Sequence, residues 1–381
     1  MMMHWKKHNG THCGWTASLF LMTVLLLAGC GNTDFRPEAI GQEGEITVVI
    51  DSMLWKSPVG DAVRDHLGAP ITTLPTIEPA FKLRPITLSS ERVLENIRAL
   101  KNVVFVAPLS DTTTNESRYI RSRLSEEARQ VILNGGTAVV PRDDLWRRRQ
   151  LVFYVTAATP EGLITAIEQD GAGIVYRFNE ITRRRLHQEM FDVGRQPDIE
   201  EYLLEHHDFA VHAQHDYVVA LDTANFIWLR RVLSDTWRSL FIYYEENADP
   251  SKLTPEWIYN ARDALTQRFV QGNLGGWVEI DRRRPLHAEE INFKDRYAYE
   301  VRGLWHMIGE ENGEKFAWGS GGPFLTYAFY DAPSGRLYLI DGMVFAPNYP
   351  KREFLRQLEV IAYTFRTREE VAQDEQVATR D

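Results

Sequence analysis

An α/β domain followed by an α+β domain with a mainly antiparallel sheet is the fold that this 381-residue sequence predicts. Two observations carry the prediction. In the first half, β-branched runs without polar alternation are separated by stretches of helical period, as expected of strands covered on both faces. In the second half, strand-like segments follow one another directly, with amphipathic helices added between and after them.

The elements follow in chain order. Residues 1–29 have the plan of a secretory leader: Lys6 and Lys7 at the head, then an apolar run from Ala17 to Ala28 that is too short for a stable span. The run closes as Leu27-Ala28-Gly29-Cys30, which resembles the lipobox of bacterial lipoproteins. That resemblance implies cleavage before Cys30, a diacylglyceryl thioether on its sulfur and an acylated amino terminus, with palmitate among the chains. Several acyl chains anchor stably where one is marginal. The other cysteine, Cys13, leaves with the leader, so the mature chain has no free thiol and no internal disulfide. Residues 30–44 read as a polar tether.

Residues 45–182 form the α/β domain. Ile46 to Ile50 is a continuous β-branched strand, and Ser57-Pro58 opens a helix with Val59, Val63 and Leu67 on one face and Gly68 at its end. Ser90 opens a second helix and Val103 to Val106 returns as a strand. Ser125 opens a third, ending at Asn134-Gly135. Leu151 to Val155 is a strand, Thr159-Pro160 opens a helix, and Ile174 to Phe178 is expected to be the strand after it. Residues 183–215, charged and rich in His, read as a solvated polar junction.

Residues 216–366 form the α+β domain. Strands are expected at Tyr217 to Leu221, Phe226 to Val232, Leu240 to Tyr244, Phe324 to Tyr330 and Arg336 to Val344, with a hairpin turn at Ala332-Pro333-Ser334-Gly335. Thr254-Pro255 opens a helix running to about Val270, and a last helix starts near Lys351 with Phe354, Leu355, Leu358, Ile361 and Phe365 as its apolar stripe. Residues 367–381 read as a frayed, charged tail. A faint echo between Asn134-Gly135-Gly136 and Asn273-Leu274-Gly275-Gly276 leaves a duplication open.

Several segments resemble one family. Val48-Val49-Ile50-Asp51, Leu54-Trp55, Pro58-Val59-Gly60-Asp61 and Glu78-Pro79-Ala80-Phe81 are similar to the opening of a Bacteroidota lipoprotein family, domain of unknown function 4837. The likeness continues through Asn225 to Arg231, Arg296 to Trp305, Gly321-Gly322-Pro323-Phe324, Asp341-Gly342 and Lys351-Arg352-Glu353. It covers nearly the whole mature chain and implies no activity.

Charge and motifs narrow the chemistry. The formal charge of −10 becomes −12 once Lys6 and Lys7 depart, since residues 1–29 hold no acid. That argues against nucleic acid and against a polybasic grip on anionic lipid. The Arg triplets lack interleaved aromatics and read as solvated edges. His207, His212 and His215, with Glu205 and Asp208, offer zinc-type donors, but H-E-x-x-H spacing is absent and a linker accounts for the same residues. No metal or cofactor is therefore expected, those histidines being the alternative. Gly319-Ser320-Gly321-Gly322 lacks both the P-loop ending and the hydrolase elbow spacing.

Strand alternation puts Tyr297, Tyr299, Val301 and Trp305 on one face, and Glu300, Arg302 and His306 on the other. With Trp228 and Arg230 beside them, these polar residues read either as an ordinary solvent face of the sheet or as the floor of a groove for an anionic glycan or peptide, and the second reading is the one carried into a test. Ala at Arg302 and Arg230 is then expected to leave stability almost unchanged. The reading is a lipid-anchored envelope protein, periplasm-facing on the outer membrane, that acts as a binding or assembly factor rather than an enzyme. The alternatives are a cell-wall or carbohydrate hydrolase and a spacer without small ligand.

Overall fold

The structure is a computed structural model that describes residues 34–272 and 275–378. Cys30, the leader and the Asn273-Leu274 pair of the echo lie outside the described residues.

The first half builds a five-stranded sheet. Its elements are β1 (Glu45–Ile50), α1 (Ser52–Trp55), α2 (Pro58–Leu67), β2 (Lys82–Ile86), α3 (Glu91–Arg98), β3 (Asn102–Pro108), α4 (Asn115–Arg121), α5 (Glu126–Leu133), β4 (Thr137–Asp143), β5 (Leu151–Ala157) and α6 (Pro160–Phe191). The strand order is β2-β1-β3-β5-β4, parallel except for the edge pair β4–β5. Residues of α2 and α6 share one core cluster with one sheet face, and residues of α3, α4 and α5 share another with the opposite face. Covered twice, β3 and β5 are buried along their whole length, which is why their sequences do not alternate. Ser57, Ser90, Ser125 and Thr159 cap their helices as their positions predict.

One expected strand is a helix. Ile174 to Phe178 lies inside α6, 32 residues long. Leu163, Ile167, Ile174, Phe178 and Ile181 keep the helical period and bury one stripe on the sheet. Gly171 interrupts the apolar pattern for a packing reason: a Cβ there would lie 2.8 Å from His66 Cβ on α2. A larger residue would push the two helices apart.

The same helix continues into the second half, where Leu186, Met190 and Phe191 join the other core. The segment read as a solvated junction is therefore folded. It holds the end of α6, then α7 (Pro197–His207) and β6 (Phe209–Ala210), with Val211 and Ala213 fully buried. Arg183 and Arg185, expected on a solvated edge, are inside. Arg185 donates to Glu43 at 3.1 Å and Asn102 at 2.8 Å, and Arg183 donates to Glu359 at 2.8 Å.

The second half is β7 (Val218–Asp222), β8 (Phe226–Val232), β9 (Trp237–Glu245), α8 (Pro255–Phe269), β10 (Trp277–Ile280), β11 (His287–Phe293), β12 (Arg296–Glu311), β13 (Glu314–Asp331), β14 (Arg336–Phe345), α9 (Arg352–Tyr363), β15 (Arg366–Thr367) and α10 (Arg368–Ala378). Its sheet is wholly antiparallel, ordered β10-β12-β13-β14-β9-β8-β7, with β11 also on β12. One face packs on α9 and the end of α6, the other on α8. The tail from Arg368 is helical rather than frayed, and Arg368 Nε holds Asp208 at 2.6 Å. The two halves differ in overall topology, mostly parallel against antiparallel, and the echo is matched only locally: α5 leads into the edge strand β4 as α8 leads into the edge strand β10, each paired antiparallel.

The halves meet through polar contacts as well. Glu78, from the first half, accepts from the Lys351 and Arg352 backbone N–H groups at 2.7 and 3.0 Å. It thereby caps α9, which has no side-chain cap of its own. Among the described residues no helix is long and apolar enough to cross a membrane.

Candidate functional site

The chain leaves β1 toward β2 on one side and returns to β3 on the other. The connecting helices diverge to opposite faces there, opening a crevice beyond the carboxyl ends of β1 and β3. The crevice holds about 560 Å³. Three chain segments line it: Asp51 to Val59 after β1, Ala107 to Thr114 at the end of β3, and Pro160 to Ile164 after β5.

Each wall is held by local chemistry. Asp51 Oδ1 accepts from the Met53 and Leu54 N–H groups at 2.8 and 3.2 Å, turning the chain out of β1 into α1. Ser57 Oγ donates to the Leu54 carbonyl at 2.8 Å and accepts from Val59 N at 3.3 Å. Gly60 is required at this corner, because a Cβ would lie 1.9 Å from the Trp55 carbonyl oxygen. On the β3 side, Asp111 Oδ1 accepts from the Thr113 N–H and hydroxyl, both at 2.7 Å. These bonds, with Thr114 adding to them, hold the Asp111 carboxyl below its usual range. Ser117 Oγ donates to the Pro108 carbonyl at 2.8 Å and Arg121 Nε to the Leu109 carbonyl at 2.8 Å, so the wall is preformed. At α6, Thr159 Oγ1 accepts from Gly162 N at 3.3 Å. The Glu161 carboxyl is also pulled down, first by its own backbone N–H and then by the Thr159 hydroxyl.

The floor is apolar. Val59 and Ala107 are buried, Leu54 and Ile164 half-buried, and Met53 stands exposed at the mouth. Among the described residues of the lining there are three carboxylates and two serines, but no His, Cys, Lys or Arg. With no His in the lining, neither Ser57 nor Ser110 has an imidazole base beside it. A second groove, of about 410 Å³ beside α10, is lined by charges already paired with one another, such as Arg336 with Asp208 at 3.2 Å.

The residues singled out from the sequence are distributed differently. Glu300 and Arg302 do share a face of β12, opposite Val301 and Trp305, as alternation requires. That face meets α9 rather than a groove. Arg302 pairs with Glu300 and, at 3.2 Å, with Glu359. The Tyr327 hydroxyl donates to Glu300 at 2.8 Å. The planar fork expected to hold an anionic ligand is filled from within. Burial pushes the Glu300 carboxyl up, yet Arg302 and Tyr327 hold it below its ordinary value. Trp228 and Arg230 lie four strands away on the opposite face, with the Arg230 guanidinium 4.7 Å from the Trp228 ring. His306 contacts Arg283 at 3.2 Å, apart from both groups.

The histidines of the zinc alternative are also separated by their surroundings. His207 is buried between Tyr244 (3.1 Å) and Asp222 (2.9 Å). His212 packs against Phe191 and His187, with ring centres 5.1 and 5.3 Å away. His215 contacts the Gly194 position instead. Among the described residues no three His, Cys, Asp or Glu side chains are arranged to hold a metal ion.

The crevice was missed because its parts were read singly. Asp51-Ser52, Ser110-Asp111 and Thr159-Pro160 each begin within two residues of the end of a buried strand. Three such positions after three parallel strands are the signal.

The fold and crevice thus define a two-part protein, a doubly wound α/β unit with a ligand-sized crevice joined to an antiparallel α+β unit. Residues 196–364 match the family model described as domain of unknown function DUF4837. Residues 39–191 match a separate model, domain of unknown function DUF8532. The first-half segments read from the sequence as the opening of the DUF4837 family therefore fall under a different family model. Among curated proteins no relative matches the chain. Among solved structures, it is similar to the Saccharomyces cerevisiae Ran-binding protein Mog1p at 11% identity and a TM-score of 0.29, covering 42% of this chain and 90% of that one. A mutant of protein Mog1 is similar at 12% identity, with the same coverage and TM-score.

Proposed function

We propose that this chain is a lipid-anchored cell-envelope protein that binds a small ligand in the crevice at the carboxyl ends of β1 and β3. The observation that carries the binding role is the preformed crevice, walled by three chain segments over an apolar floor. The anchor rests on Leu27-Ala28-Gly29-Cys30, and the outer membrane of a Bacteroidota cell, facing the periplasm, is the location it suggests. Binding without turnover agrees with a binding or assembly factor better than with a hydrolase or a spacer.

Two measurements test the parts separately. Palmitate labelling should tag the native chain and not Cys30→Ser, and unchanged labelling of the variant refutes the anchor. Native mass spectrometry of protein from producing cells should find a small molecule retained by the native chain. Ile164→Trp, which fills the crevice from α6, should release it. Equal retention by both refutes the crevice.

A further inference from the structure

Which ligand fits is decided by charge. We infer that the crevice takes an organic cation, an amine carried on a compact apolar body; this rests on the crevice being the binding site.

Two helix N-termini, those of α2 and α6, border the crevice and on their own would favour an anion. Their capping N–H groups are already taken, however: Val59 N by Ser57 and Gly162 N by Thr159. Glu161, in the first turn of α6, sets a carboxylate against that helix's positive end. An anionic ligand would therefore enter beside Asp51, Asp111 and Glu161 with no Lys or Arg in the lining to offset them.

A cation meets the opposite situation. Asp111 and Glu161, both held ionised at neutral pH, face the same opening, and both capping bonds of Asp51 fall on Oδ1, leaving Oδ2 for a ligand. A bare divalent metal is the poorer fit. Calcium or magnesium needs six or more oxygen ligands, zinc favours the His and Cys that this lining lacks, and the crevice floor is hydrocarbon. An ammonium needs few partners, remains hydrated at the mouth, and lets its apolar body cover Val59, Ala107 and Ile164.

The test uses the intact lipidated chain in phosphatidylcholine nanodiscs, with empty nanodiscs as blank. Its probes are three of one shape: 2-phenylethylamine, 2-phenylethanol and 3-phenylpropionate. Calorimetric titration at low salt should rank amine over alcohol by about fivefold, with the carboxylate weakest. Asp51→Asn with Asp111→Asn and Glu161→Gln keeps the oxygen acceptors of all three turns and should bring the amine to the level of the alcohol. Ile164→Trp should abolish all binding while the thermal midpoint holds. If the alcohol or carboxylate matches the amine, or the triple variant keeps the preference, the cation inference fails while the crevice stands. If no probe binds, or Ile164→Trp leaves binding unchanged, both fail.

Discussion

Replacing Arg302 by Ala removes the centre of the ion-pair network between β12 and α9. The side chains of Arg302, Glu300 and Glu359 keep 21%, 16% and 15% of their exposure. They are neither free in water nor fully sealed. After the change Glu359 still has Arg183 at 2.8 Å, so the group left without its ion-pair partner is Glu300, which keeps the Tyr327 hydroxyl at 2.8 Å and the weaker influence of His287. An unpaired carboxylate in a sealed core costs about 3–5 kcal/mol, and the residual exposure here lowers that to about 2–3 kcal/mol at pH 7. That is well beyond the ±0.5 kcal/mol, roughly, of a surface change. The sign with pH follows from the carboxyl. In the native chain Glu300 titrates below its ordinary value, so its contribution is full above the unfolded pKa and fades as pH falls through the folded one. In the variant burial raises that pKa, protonation relieves the misfit, and the destabilisation shrinks toward pH 5. Urea unfolding followed by near-ultraviolet circular dichroism at pH 7 and pH 5 measures both effects. Adding Glu300→Gln should restore much of the loss. A loss under about 0.5 kcal/mol at pH 7, or one independent of pH, would return Arg302 to the solvent face and refute the reasoning.

Glu78→Ala strips two N–H groups of α9 of their acceptor and should cost about 1–2 kcal/mol in the same urea assay; a change within error would show that water replaces the cap. Burial first, then the charge of Arg195, brings His212 down to about 3. The unfolded chain therefore binds a proton between about pH 6.5 and 3 that the folded chain refuses, and stability should fall by up to about 1.4 kcal/mol per pH unit on acidification through that window. His212→Gln should flatten that slope, and an unaltered slope assigns the acid sensitivity to other groups.

The alternation in β12, the caps at Ser57, Ser90, Ser125 and Thr159, and the continuous apolar runs of β1, β3 and β5 are local properties, and the sequence by itself determined them. Each depends on neighbours within a turn or on the period of a single strand. What covers a face depends on distant residues, and only the tertiary structure decided it. Arg302 looks available on its strand until Glu359, 57 residues later, arrives on α9. Ile174 to Phe178 reads as a strand until His66 explains why Gly171 sits inside a helix. The same holds for the crevice, since Asp51, Asp111 and Glu161 become neighbours only when three parallel strands lie side by side. A carboxylate's partner, and whether it is free for a ligand, is set by packing across the sheet, and no period along the chain records that.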